Sequence, residues 1–339
     1  MACSKFVLPE EMTIEILKRV PTMTEIEVSL LVISNSELDG LNRLMIARPV
    51  VDGIPQSVFR DYKCYLYVPL KFTVIGSSNG IICMVYGIHC YLWNPVTKKC
   101  KELPRFPGNQ EAYEKNQEGK LAFYFDTFSN DYKVLRLLCH LTTTGGLPVL
   151  QLYSTNTNSW KEIHVHDTSP IKVMSYPSLK LGPVINGAMY MGRKEYVVSF
   201  DLHSEVCIAV PIPTFMVRYS DILDFEGSVA AIFGSVSEGS EISLWTLDNI
   251  DGKVSWTKKF NIALDDMGWI YSYLGAGVLF GRRKDRTVFF LYDYMKNDFK
   301  YIPLPDTRLK TILKYKETLA SVGGFNHNLY EFGKTVFLL

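Results

Sequence analysis

No stretch of this 339-residue sequence is long, apolar and charge-free enough to span a bilayer. The N-terminus, Met1-Ala2-Cys3-Ser4-Lys5-Phe6, lacks the apolar core of a secretion signal and runs straight into Leu8-Pro9-Glu10-Glu11. Neither sign of charge is in excess: 36 Lys and Arg against 35 Asp and Glu leave a formal +1. The two signs are interspersed, which excludes the domain-wide basic footprint that nucleic acid demands. The single basic cluster, Gly281-Arg282-Arg283-Lys284-Asp285-Arg286, reads as a solvated hairpin tip between apolar strands. The expectation is an intracellular protein, cytoplasmic or nuclear, with no nucleic-acid or membrane partner.

Paired cysteines are missing too. The seven cysteines are odd in number and scattered, and no C-x-x-C pair offers a zinc ribbon or a redox site. Several lie inside apolar runs, where cysteine behaves as a small buried hydrophobe. The six histidines do not cluster as copper or zinc would require. Only His164 and His166 share a strand face, and surface positions explain that pair. The Gly76–Gly80 loop lacks the lysine and following helix of a phosphate-binding loop. No G-x-S-x-G elbow occurs, and Asp265-Asp266 reads as a solvated loop. The sequence requires no enzyme, no cofactor and no metal.

What is present is repetition. An apolar strand ends in an aromatic, a polar turn follows, and a short strand then ends near proline. Leu92-Trp93-Asn94-Pro95-Val96-Thr97-Lys98 leads to Leu103-Pro104, and Leu152-Tyr153-Ser154 leads to Trp160-Lys161-Glu162-Ile163. Phe200-Asp201, Leu244-Trp245 and Leu291-Tyr292-Asp293 open three further copies. The anchors Trp93, Tyr153, Phe200, Trp245 and Tyr292 stand roughly 45 to 60 residues apart, the period of kelch-like propeller blades. Ahead of most anchors lies a second strand entered through glycine, as in Gly76–Met84, Gly182–Tyr190 and Leu274–Phe280. Each unit therefore reads as three strands.

Runs such as Thr287–Tyr292 and Tyr196–Phe200 are apolar on both alternating faces, so each must be covered on both sides, as between neighbouring blades. A sandwich with similar hairpins is the competing fold. The expected architecture is mainly β, a kelch-like β-propeller of about six blades. Its sixth blade would pair Leu319–Gly324 with the early strand Ser29–Ile33, closing the ring and removing its edges.

Residues 8–21 break the β pattern. Pro9, Glu10 and Glu11 suit a helix start, Lys18 and Arg19 its end, and Pro21 stops it. Met12, Ile16, Leu17 and Val20 form one apolar stripe. A helix of about three turns is not stable alone and must dock on something.

These residues carry a resemblance. Leu8-Pro9-Glu10-Glu11 … Ile14-Glu15-Ile16-Leu17 … Arg19-Val20-Pro21 resembles the opening of an F-box, the module that binds the Skp linker protein of cullin-based ubiquitin ligases. The remainder resembles the plant F-box-associated interaction domain. Its pattern is matched by Gly76–Cys83, Leu92–Lys99, Phe123–Asp126, Asn130–Val134, Tyr153-Ser154, Asn158–Trp160, Val184–Met189 and Trp256–Lys258, in order and over nearly the whole chain. The family includes S-locus F-box proteins and regulators of immune receptors.

The resemblance implies a substrate adaptor, not a catalyst. Leu8, Pro9, Ile14, Ile16, Leu17 and Val20 would contact the Skp-type linker, with cullin beyond it. The propeller would hold an unidentified target protein through inter-strand loops such as Phe106–Gly119 and Leu141–Pro148. The sequence departs from the family after Pro21: Thr22–Val28 lacks the Val-Cys-Lys-x-Trp-like signature of the remaining F-box helices. The expected organisation is a partial F-box over residues 1–24 and the propeller over 25–339. Two other functions stay open, a propeller that binds a target without recruiting the ligase and, remotely, a propeller oxidase.

Overall fold

The computed structural model describes residues 29–36, 41–49, 59–69, 72–107, 120–138, 149–164, 180–192, 196–213, 219–234, 241–250, 253–263, 267–275, 277–283, 288–302, 309–323 and 327–328. All regular structure among them is strand. The strands are β1 (Ser29–Ser36), β2 (Leu41–Pro49), β3 (Phe59–Pro69), β4 (Thr73–Ser78), β5 (Ile81–Tyr86), β6 (His89–Asn94), β7 (Lys99–Glu102) and β8 (Lys120–Asp126). Then come β9 (Asp131–Leu138), β10 (Val149–Ser154), β11 (Ser159–His164), β12 (Lys180–Ile185), β13 (Ala188–Gly192), β14 (Tyr196–Asp201), β15 (Cys207–Pro211) and β16 (Tyr219–Phe225). The remainder are β17 (Ser228–Gly234), β18 (Glu241–Ile250), β19 (Lys253–Ala263), β20 (Met267–Gly275), β21 (Val278–Arg283), β22 (Phe289–Asp293), β23 (Asp298–Ile302), β24 (Leu309–Tyr315) and β25 (His327–Asn328).

Consecutive strands pair antiparallel, giving four-stranded sheets β8–β11, β12–β15, β16–β19 and β20–β23. A fifth four-stranded sheet runs β24-β1-β2-β3, and a five-stranded one runs β25-β7-β6-β5-β4. The first strands of successive sheets lie side by side, β4 on β8, β8 on β12, β12 on β16 and β16 on β20; β24 then completes the circuit between β20 and β4. Radial four-stranded sheets around a common axis make the chain a mainly-β propeller.

The alternation of apolar residues explains why the sheets stack. In β5, Ile81 and Cys83 point into one cluster with Phe123, Val134 and Tyr153 of the next sheet. Ile82 and Met84, one residue out of phase, point the other way and pack with Tyr315 of β24. Further clusters join Leu135 and Leu150 to Met191 and Phe200, Ile185 and Val197 to Ala231 and Phe233, and Leu223 and Ile232 to Leu279 and Phe290. The core therefore lies between sheets, as strands apolar on both faces require. Each such side chain, fully buried, contributes about 1.5–3 kcal/mol.

Three expectations need correction. The glycine-entered strands Gly76–Met84, Gly182–Tyr190 and Leu274–Phe280 are hairpins, not single strands. Asn79-Gly80 and Asn186-Gly187 sit at positive φ in both positions (44° and 75°; 50° and 78°), the two-residue turn whose twist matches its flanking strands. Each unit thus has four strands. Most of the innermost ones are interrupted by register shifts, at Val74/Gly76, Leu181/Val184 and Tyr219/Ile222, which break the period of two that marks a strand. Trp245 is likewise not the equivalent of the other anchors. Leu247 faces Val229 as Phe200 faces Met189 and Tyr292 faces Leu279.

The third correction concerns closure. The chain ends do meet in one sheet, but β1 pairs with Leu309–Tyr315 rather than with Leu319–Gly324. The lysines of Leu309-Lys310-Thr311-Ile312-Leu313-Lys314-Tyr315 disguise this strand, yet Leu313 and Tyr315 alternate into the core beside β5. Residues 316–322 have no regular structure. They run as a strap over the neighbouring sheet, and His327–Asn328 then adds a short strand to the edge of β7.

Candidate functional site

The strand order gives the propeller two unlike faces. One face collects the turns Asn79-Gly80, Thr127–Asn130, Asn186-Gly187 and Glu226-Gly227 between first and second strands, and Pro95–Lys98, Thr155–Asn158 and Tyr294–Asn297 between third and fourth; the two-residue turn Gly87-Ile88, between second and third, lies on the other. Three turns between third and fourth strands share one device. Asn94 Oδ1 accepts from the N–H groups of Val96 and Thr97, Asp201 Oδ1 from His203 and Ser204, and Asp293 Oδ1 from Met295 and Lys296. A short polar side chain at this point closes the turn on its own backbone. The residue four further on takes positive φ: Lys98, Glu205 and Asn297. Where the anchor is tyrosine, its hydroxyl donates to the asparagine five residues on, Tyr153 to Asn158 and Tyr292 to Asn297.

On the same face Asp126 accepts from Lys133 Nζ at 2.6 Å, Ser129 Oγ at 2.6 Å and Phe128 N at 3.1 Å. Burial alone would raise its pKa, but the lysine, the hydroxyl and the N–H outweigh it and hold the carboxyl at about 2. A depressed carboxylate stabilises the fold fully above its unfolded value and loses that contribution as pH falls through the folded one. Asp126→Asn is therefore expected to flatten the fall in stability between about pH 4 and 2, measured by urea unfolding across that range. An unchanged slope would contradict it.

The other face receives the strand ends that flank 103–119, 139–148 and 165–179. Residues 108–119 and 139–148, the greater part of the two loops expected to select a target, lie outside the described residues. Their roots are described and converge on one corner. Leu103 N donates to Cys90 O, and Trp160 Nε1 reaches across from the next sheet to Pro104 O at 2.9 Å. Phe106 packs its ring on Trp160 at 5.0 Å and takes the Arg136 guanidinium over its face at 4.5 Å.

Arg136, Gln151 and Glu162 form a row across β9, β10 and β11. Arg136 donates to Gln151 Oε1, and Gln151 Nε2 donates to both Glu162 Oε1 and Pro107 O. Arg136 and Gln151 are buried, so this polar row joins the strands bounding 139–148 to the segment leading into 108–119. Buried and hydrogen-bonded, it holds both loop roots in one geometry.

Trp256 Nε1 repeats the tryptophan contact on Pro211 O at 3.1 Å. Trp160→Phe keeps a ring but removes the donor, and is expected to cost about 1 kcal/mol, read as a Tm lower by about 2–4 °C in thermal unfolding. No change in Tm would mean that the bond does not join the sheets.

The remaining candidates are dispersed. Leu8, Pro9, Ile14, Ile16, Leu17 and Val20, with the helix carrying them, lie outside the described residues, as do Asp265 and Asp266. So do the side chains of His164 and His166. Arg282 covers the ring of Phe289 at 4.9 Å, and Lys284–Arg286 lies outside the described residues. His89 pairs with Glu102 at 2.7 Å. Burial pushes the Cys100 thiol up to about 12 and that of Cys83 well above its ordinary value, so both stay protonated and are poor nucleophiles at neutral pH. Among the described residues no group of three or more His, Cys, Asp or Glu is placed to hold a metal.

Residues 42–278 match the family described as the F-box associated beta propeller domain. The chain belongs to that family. A provisionally named F-box protein of Arabidopsis thaliana, At4g38870, is 25% identical over 213 residues, 58% of this chain and 46% of its own length. F-box protein At2g40925 of the same plant is 23% identical over 232 residues, 58% of this chain and 53% of its own. The chain thus spans about half the length of the curated relatives it matches.

Among solved structures, TolB from Acinetobacter baumannii superposes with a TM-score of 0.51 at 10% identity, covering 85% of this chain and 66% of that one. A chain of the nidogen/laminin complex gives 0.50 at 8% identity, covering 86% and 99%. At such identities these likenesses concern the fold alone. For the F-box associated propeller, the sequence resemblance had pointed to the right family. It missed the buried Arg136–Gln151 row, whose one visible signal was an arginine inside the apolar run Val134–Leu138.

Proposed function

We propose that this F-box associated propeller is the substrate-recognition adaptor of an SCF-type (Skp-cullin-F-box) ubiquitin ligase. The carrying observation is the family match over residues 42–278, which embraces both rooted loops; the F-box names of the Arabidopsis relatives support it. The target protein docks on the loop face above Phe106, Arg136 and Gln151. Residues 1–24 form a partial F-box and residues 25–339 a six-bladed propeller, a count that rests on the circuit of inner strands from β4 to β24. Leu8, Pro9, Ile14, Ile16, Leu17 and Val20 contact the Skp-type linker, and cullin is recruited through it. The adaptor is non-catalytic, ubiquitin transfer belonging to other subunits, and it works in the cytoplasm or nucleus.

The strand directions suit this division of labour. β1 begins at Ser29 beside Tyr315, the residue that ends β24, on the tight-turn face. The N-terminal segment therefore leaves from the face opposite the loop roots, so linker and target need not compete for space.

The second reading is a propeller that holds its target without recruiting the ligase. Thr22–Val28 favours it by lacking the F-box continuation. If each missing apolar anchor is worth about 1.5–3 kcal/mol, losing several weakens linker binding about a thousandfold. Co-purification of the tagged full chain, with proteasome inhibited, separates the two. The adaptor brings down the Skp-type linker, a cullin and a polyubiquitinated target; recovery of a target without linker or cullin would overturn it.

A further inference from the structure

On the tight-turn face Asn94 ties together two backbone segments, each of which carries an exposed apolar side chain. Its Nδ2 donates to Thr318 O at 3.0 Å and Ala320 O at 2.8 Å, the carbonyls on either side of Leu319. Its Oδ1 accepts from Val96 N at 2.9 Å. Leu319 is 65% and Val96 37% exposed. Gly80 seats the strap below them: a Cβ there would fall 1.7 Å from Thr318 Cγ2 and 2.9 Å from Lys316 O. Lys98, Lys99 and Lys316 are exposed around this patch, with Glu317 among them.

The chain leads straight to it. Ser29, the first residue of β1, pairs with Tyr315, four residues before Leu319. Residues 22–28 connect Ser29 to the segment 8–21 and can extend at most about 25 Å. The segment's apolar stripe, Met12, Ile16, Leu17 and Val20, needs cover, because a helix of about three turns is not stable by itself. Its small acidic excess, Glu10, Glu11 and Glu15 against Lys18 and Arg19, matches the excess of lysine over glutamate around Leu319.

We infer that residues 8–21 seat this stripe on the propeller of the same chain, against Leu319 and Val96 and within the lysine rim. Ile16, Leu17 and Val20 also belong to the set proposed for the linker protein. The seat and the linker therefore compete for one helix face, and recruitment requires its release. This goes beyond the adaptor reading, and its test contains no linker protein, so failure here leaves that reading standing.

The test is amide hydrogen exchange over residues 8–21 of the full chain. Exchange is expected to be at least ~10-fold slower than in a synthetic peptide of residues 1–28. The double variant Val96→Asp, Leu319→Asp, both at exposed sites, is expected to restore the peptide rate while the β5 and β13 amides stay protected. Phe128→Asp, an exposed apolar residue one sheet further round, is expected to leave protection intact. Peptide-like exchange in the wild type, or protection that survives the double variant, would overturn the inference. Protection that rises with protein concentration would assign the seat to a second copy and overturn it equally.

Discussion

A chain ending at Arg308 is expected to lose the folded ring. It would lack β24, the strand that sits between β20 and β4 and pairs along Ser29–Ser34 of β1. The cluster of Ile82, Met84, Tyr91 and Trp93 would lose Leu313 and the fully buried Tyr315. Replacing one buried aromatic by alanine costs about 3–5 kcal/mol, and here the strand hydrogen bonds go with it. The unpaired edge of β1 would be left as a template for association. Since domains are stable by only about 5–15 kcal/mol, the expected result is aggregation, or a thermal scan without a cooperative transition. A truncated chain that melts cooperatively near the wild-type Tm would show that closure does not depend on β24.

Asn94→Leu is expected to have the next largest effect. Asn94 is 0% exposed and uses both amide ends, donating to two strap carbonyls and accepting from two turn N–H groups. Leucine fills similar space but satisfies none of them. Buried polar groups left without partners cost about 1–3 kcal/mol each, and strap residues 318–320 would detach from the turn at Pro95–Lys98. We expect a loss of about 3–5 kcal/mol in total, hence a Tm lower by about 10 °C. Asn94→Asp, which keeps the acceptor and loses the donors, is expected to fall between. Wild-type stability in Asn94→Leu would mean that strap and turn hold independently.

Asn94 also shows where sequence reading stops. Leu92–Lys99 is recognisable as a family pattern, but the strap carbonyls that Asn94 binds lie 224 and 226 residues away, and no local period reports them. Local physics was legible. The polar turns after the anchors, the aromatic anchors and the strands apolar on both faces all indicated stacked strands. Errors arose where two signals overlapped. Asn79-Gly80 and Asn186-Gly187 lie inside glycine-entered apolar runs, so two strands looked like one. Trp245 outshone Leu247 because its ring is larger, although register puts Leu247 opposite Val229. Lys310 and Lys314 concealed β24, whose pairing is set by the far end of the chain.

The candidate site was legible only as loops. Phe106–Gly119 and Leu141–Pro148 were visible as segments between strands, whereas the row that fixes their roots depends on three strands coming into register. Pro104 is similar: its position near a strand end is visible in the sequence, but the Trp160 that binds its carbonyl comes from the next sheet.

The central claim, an adaptor that couples a target-binding propeller to a ubiquitin ligase, is tested most directly by titrating purified Skp-type linker protein into the full-length chain in a calorimeter. The account predicts a one-to-one complex with Kd of about 1 μM or tighter, abolished by the double variant Ile16→Asp, Leu17→Asp while the propeller's thermal transition is unchanged. No heat of binding at tens of micromolar, or binding that the double variant leaves intact, would contradict it.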